Sequence, residues 1–233
     1  MKGPLIREWQ ANLFVYQEQT NGVEAIVRSI ESDGAVLQLA QDFHKHALSY
    51  NTNIENGRFV TGIVPTKNYH VVKTTTDSGE TKDFETKTVI IASGIHPRTL
   101  GIPGEDALRG RGVTYCTVCD GPLYKKRTTI TVGSGNSALE SALMMAGIAS
   151  KVYLLSKFAD GPDTNGGFPK GENILIDKVK ATPNIEVIYS ASTKQILGTD
   201  FVTGVEYADA TGALHTITTD GAMVHIGMIP NSN

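Results

Sequence analysis

Gly133-Ser134-Gly135-Asn136-Ser137-Ala138 constrains the fold of this chain more than any other segment. A β-branched run, residues 128–132, leads into it. A run of helix formers, residues 137–146, leads out, and a second strand-like run follows at 151–155. Strand, glycine turn, helix, strand is the order of a βαβ unit, which belongs to a parallel sheet covered by helices. In such a turn the first glycine allows the tight bend and the second lets a phosphate approach the backbone. A small residue at the sixth position, here Ala138, lets the helix pack closely on the strand. The N–H groups and dipole at the helix start attract anions. Gly133, Gly135, Asn136, Ser137 and Ala138 are therefore the candidate contacts to a dinucleotide phosphate. A G-x-G-x-x-A string also occurs in ordinary turns, and only the flanking elements favour nucleotide binding over that reading.

The residue that selects the adenosine ribose falls after the second strand, at Ser156 and Lys157. An acid there favours NAD and a basic cluster favours NADP. Ser156-Lys157, with Asp160 and Asp163 further on, is neither, so NADH and NADPH both stay open.

The only two cysteines of the chain, Cys116 and Cys119, stand in Cys116-Thr117-Val118-Cys119-Asp120-Gly121, just ahead of the glycine turn. A structural zinc site wants four ligands, and one C-x-x-C supplies two. His44 and His46 point to different faces of a helix and do not complete it, so no metal site is expected. A thioredoxin-type dithiol begins a long helix, whereas Gly121-Pro122 works against helix continuation here. Two buried, reduced, functionless cysteines are the bland alternative. The remaining reading is a disulfide that accepts electrons from a neighbouring carrier, with Asp120 as proton donor and acceptor for the thiols.

Elsewhere, apolar spacing predicts a helix over 33–48, with Ser32 or Asp33 as its N-cap. Strands are expected at 71–75 and 81–85 around a glycine hairpin turn, and a buried strand at 88–94. Prolines and glycines from Pro97 to Gly112 mark a crossing segment. After a loop at 161–171, a helix is expected at 172–180 and strands at 185–189, 194–197, 202–207, 214–218 and 222–226. A strand at 12–16 and a helix at 23–30 are weaker readings. At 233 residues with a net charge of −3, the chain has no electrostatic reason to bind nucleic acid or an anionic membrane. No run approaches the roughly 18 apolar residues of a membrane span. The expectation is a cytoplasmic protein, whose reducing compartment favours a catalytic cysteine pair over a structural one.

The segment Gly112-Val113-Thr114-Tyr115-Cys116-Thr117-Val118-Cys119-Asp120-Gly121-Pro122-Leu123-Tyr124 resembles the redox segment of the low-molecular-weight thioredoxin reductases and their relatives, the flavoproteins of the alkyl hydroperoxide reductase system. These are class II pyridine nucleotide-disulfide oxidoreductases. The likeness extends to Val89-Ile90-Ile91-Ala92-Ser93-Gly94, which matches the family's strand ending in A-[TS]-G. It also covers Pro97-Arg98, Ile102-Pro103-Gly104-Glu105, the glycine turn, and Gly227-Met228-Ile229-Pro230-Asn231. The resemblance implies an α/β fold: a Rossmann-like, three-layer nucleotide-binding domain inserted into an FAD-type domain. The expected divisions are 1–111 for a partial FAD domain, 112–225 for the NAD(P) domain with its C-x-x-C, and 226–233 for the return to the FAD domain.

By the same resemblance, NADH or NADPH passes hydride to FAD, and the reduced flavin reduces the Cys116–Cys119 disulfide. The dithiol then reduces a protein disulfide, on a thioredoxin-like or peroxiredoxin-system partner. Cys119 lies nearest the flavin, Cys116 attacks the partner, and Asp120 moves the proton; Ala92, Ser93 and Gly94 contact the cofactor. Homodimers through the flavin domain are also implied. The family's flavin domain opens with its own glycine turn and closes with a G-D segment. Neither is found before Asp33 or after Asn231, so a partial flavin domain is expected, with apolar surface left exposed around 89–92. The alternative is a flavin-free nucleotide-binding module without full turnover.

Overall fold

The computed structural model describes residues 35–231, which divide into two compact units at Gly94/Ile95. The strand at 12–16, the helix at 23–30 and the N-cap at 32–33 lie outside the described residues. The sequence expectation draws the domain boundary later, at 111/112.

The first unit contains helix α1 (Ala35–Ser49) and strands β1 (Arg58–Pro65), β2 (His70–Thr76) and β3 (Thr81–Thr86). The strands form an antiparallel sheet with β2 in the centre. Gly79, at φ +81°, closes the β2–β3 turn, a backbone conformation that glycine adopts without steric cost. Val72 and Thr74 on β2 are buried. At one end of the sheet Arg58 bonds Glu55 and Glu80, and Lys82 bonds Glu55 at 2.6 Å. The expected buried strand at 88–94 is absent. The segment has no regular structure, and Ile90 and Ile91 are 91% and 62% exposed. Its apolar, β-branched composition suits a strand, but strands are held by ladder bonds and cross-strand packing. No described strand pairs with this run.

The second unit, Ile95–Asn231, is built on five parallel strands. They are β5 (Val113–Thr114), β6 (Thr128–Val132), β7 (Lys151–Leu155), β8 (Ile185–Ile188) and β12 (Gly221–Val224), in the order β5-β12-β6-β7-β8. Helices α3 (Asn136–Ala146) and α4 (Asn173–Ala181) pack on one face. Ala138, Leu139, Ala142 and Met145 recur at helical spacing on α3 and are fully buried, together with Val152 and Leu154 of β7. On the other face lies an antiparallel sheet of β9 (Ser192–Gly198), β10 (Val202–Ala208) and β11 (Leu214–Thr218). Its Ile196, Val202 and Val205 meet Ile130, Val132, Ala222 and Val224. The result is the expected α/β arrangement of three layers: helices, parallel sheet, antiparallel sheet. A short pair, β4 (Ile95–Pro97) with β13 (Met228–Pro230), joins the two ends of the unit. The short helix α2 (Thr117–Asp120) carries the cysteines and runs into a 3₁₀ turn, Gly121–Tyr124.

The chain leaves β6 through α3 to β7 on one side, whereas β12 returns on β6's other side. The ends of β6 and β12 therefore flank a topological switch point, where open α/β sheets hold their ligands.

Candidate nucleotide cleft and disulfide

A cavity of about 810 Å³ opens at that switch point. The glycine turn, Leu155, Lys157, Phe158, Lys170, Arg98 and His225 line it. Two glycines of the turn do different work. A Cβ on Gly133 (φ +150°) would lie 2.2 Å from the carbonyl oxygen of His225 and 2.8 Å from the Ala138 Cβ. Gly133 and fully buried Ala138 thus fix the approach of α3 to the end of β12. A Cβ on Gly135 would meet nothing within 4 Å, so this position faces open space. Gly135 is the N-cap of α3 and no side chain caps the helix. An anion can therefore come close to the backbone where the helix dipole is positive.

Asn136 lines the cleft with its side chain engaged by Glu172. Its amide donates to Glu172 at 2.8 Å and its carbonyl accepts the Glu172 N–H at 2.8 Å. It ties the start of α3 to the start of α4. Ser137 is exposed on the cleft wall.

The two residues expected to face the ribose are placed differently. Ser156 is fully buried, donates to the Gly167 carbonyl at 2.5 Å and accepts the Phe158 N–H at 3.2 Å. Its hydroxyl pins the 161–171 loop and does not line the cleft, because that loop folds back and seats Phe168 in the core. Lys157 does line the cleft, its ammonium 5.2 Å from the centre of the Phe158 ring. Asp160 is engaged by Lys180 at 3.2 Å, and no carboxylate is among the lining residues. Ala92, Ser93 and Gly94 belong to the first unit, in a segment without regular structure.

Cys116 and Cys119 are joined in a disulfide. Cys116 is the N-cap of α2, and its sulfur accepts the Cys119 N–H at 3.2 Å. Cys119 is exposed and Cys116 half-buried. The Asp120 carboxylate accepts the hydroxyl of Thr114, and that hydroxyl also receives the Cys116 N–H at 3.1 Å. Thr114 thus sets Asp120 against the backbone of the disulfide. Tyr115, the residue before Cys116, donates to Glu105 at 2.7 Å. Burial first, and that carboxylate second, push its phenol up to about 12. Glu105, itself buried, also accepts the N–H groups of Leu100 and Gly101.

The cleft and the disulfide are connected. Thr117, buried and directly after Cys116, shares its hydroxyl with Ser141 on α3 at 2.6 Å and with Nε2 of His225 at 2.8 Å. Burial lowers the pKa of His225. His225, Arg98 and Lys170 have no cleft role legible in their local sequence; the β12–β6 pairing, the β4–β13 pair and the loop return bring them to the cleft. Among the described residues no group of three His, Cys, Asp or Glu could hold a metal ion. No described helix is long and apolar enough to cross a membrane.

The profile of the family described as pyridine nucleotide-disulphide oxidoreductase matches residues 9–233. A subunit of the alkyl hydroperoxide reductase of Staphylococcus aureus (strain Mu50) is 34% identical over 215 residues, covering 92% of this chain and 40% of that protein. The crystal structure of T. acidophilum thioredoxin reductase superposes with a TM-score of 0.63 at 31% identity, over 84% of this chain and 60% of that one. Lactococcus lactis thioredoxin reductase gives a TM-score of 0.64 at 26% identity, over 83% and 60%. The chain thus spans about two-fifths of the length of the curated relatives it matches.

Proposed function

Because this chain belongs to the pyridine nucleotide-disulphide oxidoreductase family, whose members use FAD and NAD(P)H, we propose that it serves a disulfide reductase of thioredoxin reductase type. Electrons from NADH or NADPH reach the Cys116–Cys119 disulfide and pass to a protein disulfide. The observation that carries this reading is one unit holding both an open cleft at an uncapped helix and a disulfide on a half-exposed turn.

The dinucleotide supplies a hydride, and the residues present suit it. Gly135 leaves room for the pyrophosphate, and Gly133 with Ala138 holds the turn in place. Asn136 braces the α3 start through Glu172, and Ser137 offers a hydroxyl at the cleft wall. Arg98, Lys157 and Lys170 supply positive charge without an opposing carboxylate, which favours the 2′-phosphorylated dinucleotide. The first unit's described residues contain no parallel sheet and no glycine turn leading from strand into helix, the arrangement a flavin pyrophosphate needs. The flavin step is therefore given no pyrophosphate cradle among the described residues.

At the disulfide, two electrons and two protons convert Cys116–Cys119 into two thiols. The Cys119 N–H on the Cys116 sulfur stabilises the thiolate of Cys116, which makes it the nucleophile toward a partner disulfide. A mixed disulfide forms and one partner thiolate leaves. Cys119 then attacks Cys116, re-forming the internal bond and releasing the second partner thiolate. Asp120, held by Thr114 beside the pair, exchanges the proton. The partner proposed is a thioredoxin-like or peroxiredoxin-system protein.

The test is to incubate the chain with FAD and either NADPH or NADH and count thiols. Two thiols per chain should appear only when both are present, faster with NADPH, and none in Cys116→Ser. No thiols, from a folded chain whose disulfide dithiothreitol reduces normally, would refute the proposal.

A further inference from the structure

We propose that the hydrogen-bonded chain Ser141–Thr117–His225 couples the redox state of Cys116–Cys119 to occupancy of the nucleotide cleft, with His225 as the positioning residue. The inference rests on the cleft being a dinucleotide site. It goes further by joining that site to the disulfide energetically.

Helix α2 is a single turn of four residues. A helix this short has no stability of its own and keeps its shape through its attachments. Three attachments hold it: the Cys116–Cys119 bond across its ends, the Thr114–Asp120 bond, and Thr117 on Ser141 and His225. Reduction removes the first. Dithiothreitol delivers two electrons and two protons, its own two thiols close into a cyclic disulfide, and Cys116 and Cys119 become two thiols. The sulfurs, no longer bonded, move apart to van der Waals separation. The backbone at Cys116 and Thr117 follows.

That movement reaches the cleft through one bond. His225 lines the cleft beside the glycine turn, its N–H bonds the Val132 carbonyl, and its own carbonyl abuts Gly133. Its ring is anchored from behind by Thr117 at 2.8 Å. In the disulfide form the anchor is fixed, so this wall of the cleft is preorganised. In the dithiol form the anchor loosens, and a ligand must order the wall as it binds. The oxidised protein therefore holds the dinucleotide more tightly. By linkage, the dinucleotide must favour the disulfide by the same factor. In a working cycle this weakens the grip on spent dinucleotide once electrons have reached the cysteines.

The experiment measures the dissociation constants of NADP⁺ and NAD⁺ for the full chain by calorimetry, once oxidised and once reduced with dithiothreitol and kept anaerobic. Oxidised dinucleotides donate no hydride, so the cysteines stay as prepared. The expected ratio, reduced over oxidised, is about threefold to tenfold, the weight of one hydrogen bond. The equilibrium of the cysteines with dithiothreitol should shift by the same factor when saturating dinucleotide is added. Thr117→Val, close to isosteric, and His225→Leu should bring both ratios to about one. His225→Gln, whose amide reaches the Nε2 position, should restore them. Should His225→Leu fail to fold, Thr117→Val carries the test. A wild-type ratio of one or below, or a ratio that persists in Thr117→Val, overturns the coupling and leaves the nucleotide site standing. A folded chain that binds neither dinucleotide in either redox state overturns the nucleotide site, and the coupling with it.

Discussion

Replacing Gly133 and Gly135 by alanine should separate folding from binding within one turn. At Gly133 the backbone stands at φ +150°, and the new methyl would lie 2.2 Å from the His225 carbonyl oxygen and 2.8 Å from the Ala138 Cβ. The unfavourable backbone conformation costs roughly 1–3 kcal/mol. The overlap is with main chain, which cannot swing aside as a side chain would, so overpacking adds roughly 1–3 kcal/mol. Gly133→Ala should thus destabilise the protein by about 2–6 kcal/mol, a large part of the roughly 5–15 kcal/mol that keeps a domain folded. Gly135 stands at φ −114°, ψ −178°, open to any residue, with nothing within 4 Å of a Cβ. Restricting the unfolded chain there contributes about 0.4–1 kcal/mol, and the poorer N-cap offsets a similar amount. Gly135→Ala should therefore fold like wild type. Its methyl occupies the space a pyrophosphate would take, so dinucleotide affinity should fall on the order of tenfold or more. Equilibrium urea unfolding followed by circular dichroism, paired with dinucleotide titration, reads both quantities. Equal stability of Gly133→Ala and wild type, or equal destabilisation of the two variants, would refute the division of labour.

Ser156→Ala should cost about 1–3 kcal/mol by stranding the buried partners of its hydroxyl, whereas Lys157→Ala should weaken dinucleotide binding without changing the urea midpoint. On β6 the hydroxyls of Thr129 and Thr131 are buried and have no hydrogen-bond partner. Thr129→Val and Thr131→Val should each stabilise the protein by about 1 kcal/mol, read as a higher urea midpoint; a loss of stability would mean that ordered water serves them. Burial holds His225 below its ordinary pKa of 6.5. The unfolded chain then takes up a proton before the folded one does, so this contribution is complete above about pH 6.5 and is lost as pH falls toward the lower folded value. Urea midpoints measured down the pH scale should show that decline in wild type and a smaller one in His225→Gln.

Much of the second unit is legible in the sequence because its signals are local. The strand-like runs at 128–132, 151–155 and 214–218 and the helix after the glycine turn appear within a residue of where their patterns place them. The hairpin at 76–81 is equally readable from Gly79. Strand β1 escapes because the register shifts between Val60 and Gly62 and breaks its alternation. The segment 88–94 misleads for the opposite reason: its composition asks for a strand, and pairing, which composition does not encode, is what makes one. At the site, Gly133, Gly135 and Ser137 come to the cleft because the turn carries its own geometry. Ser156 does not, because Gly167, eleven residues on in the following loop, captures its hydroxyl. No cleft role for His225 or Arg98 is legible in the sequence, since only the return of β12 and the β4–β13 pair bring them there.

Every functional step proposed for this chain depends on a nicotinamide dinucleotide sitting at the glycine turn. Titration of the folded protein with NADPH, followed by nicotinamide fluorescence, examines that contact without any intervening chemistry. Saturable binding below about 1 mM is expected, lost in Gly135→Leu while the urea midpoint holds. No saturable binding by wild type, or undiminished binding by a folded Gly135→Leu, would contradict it.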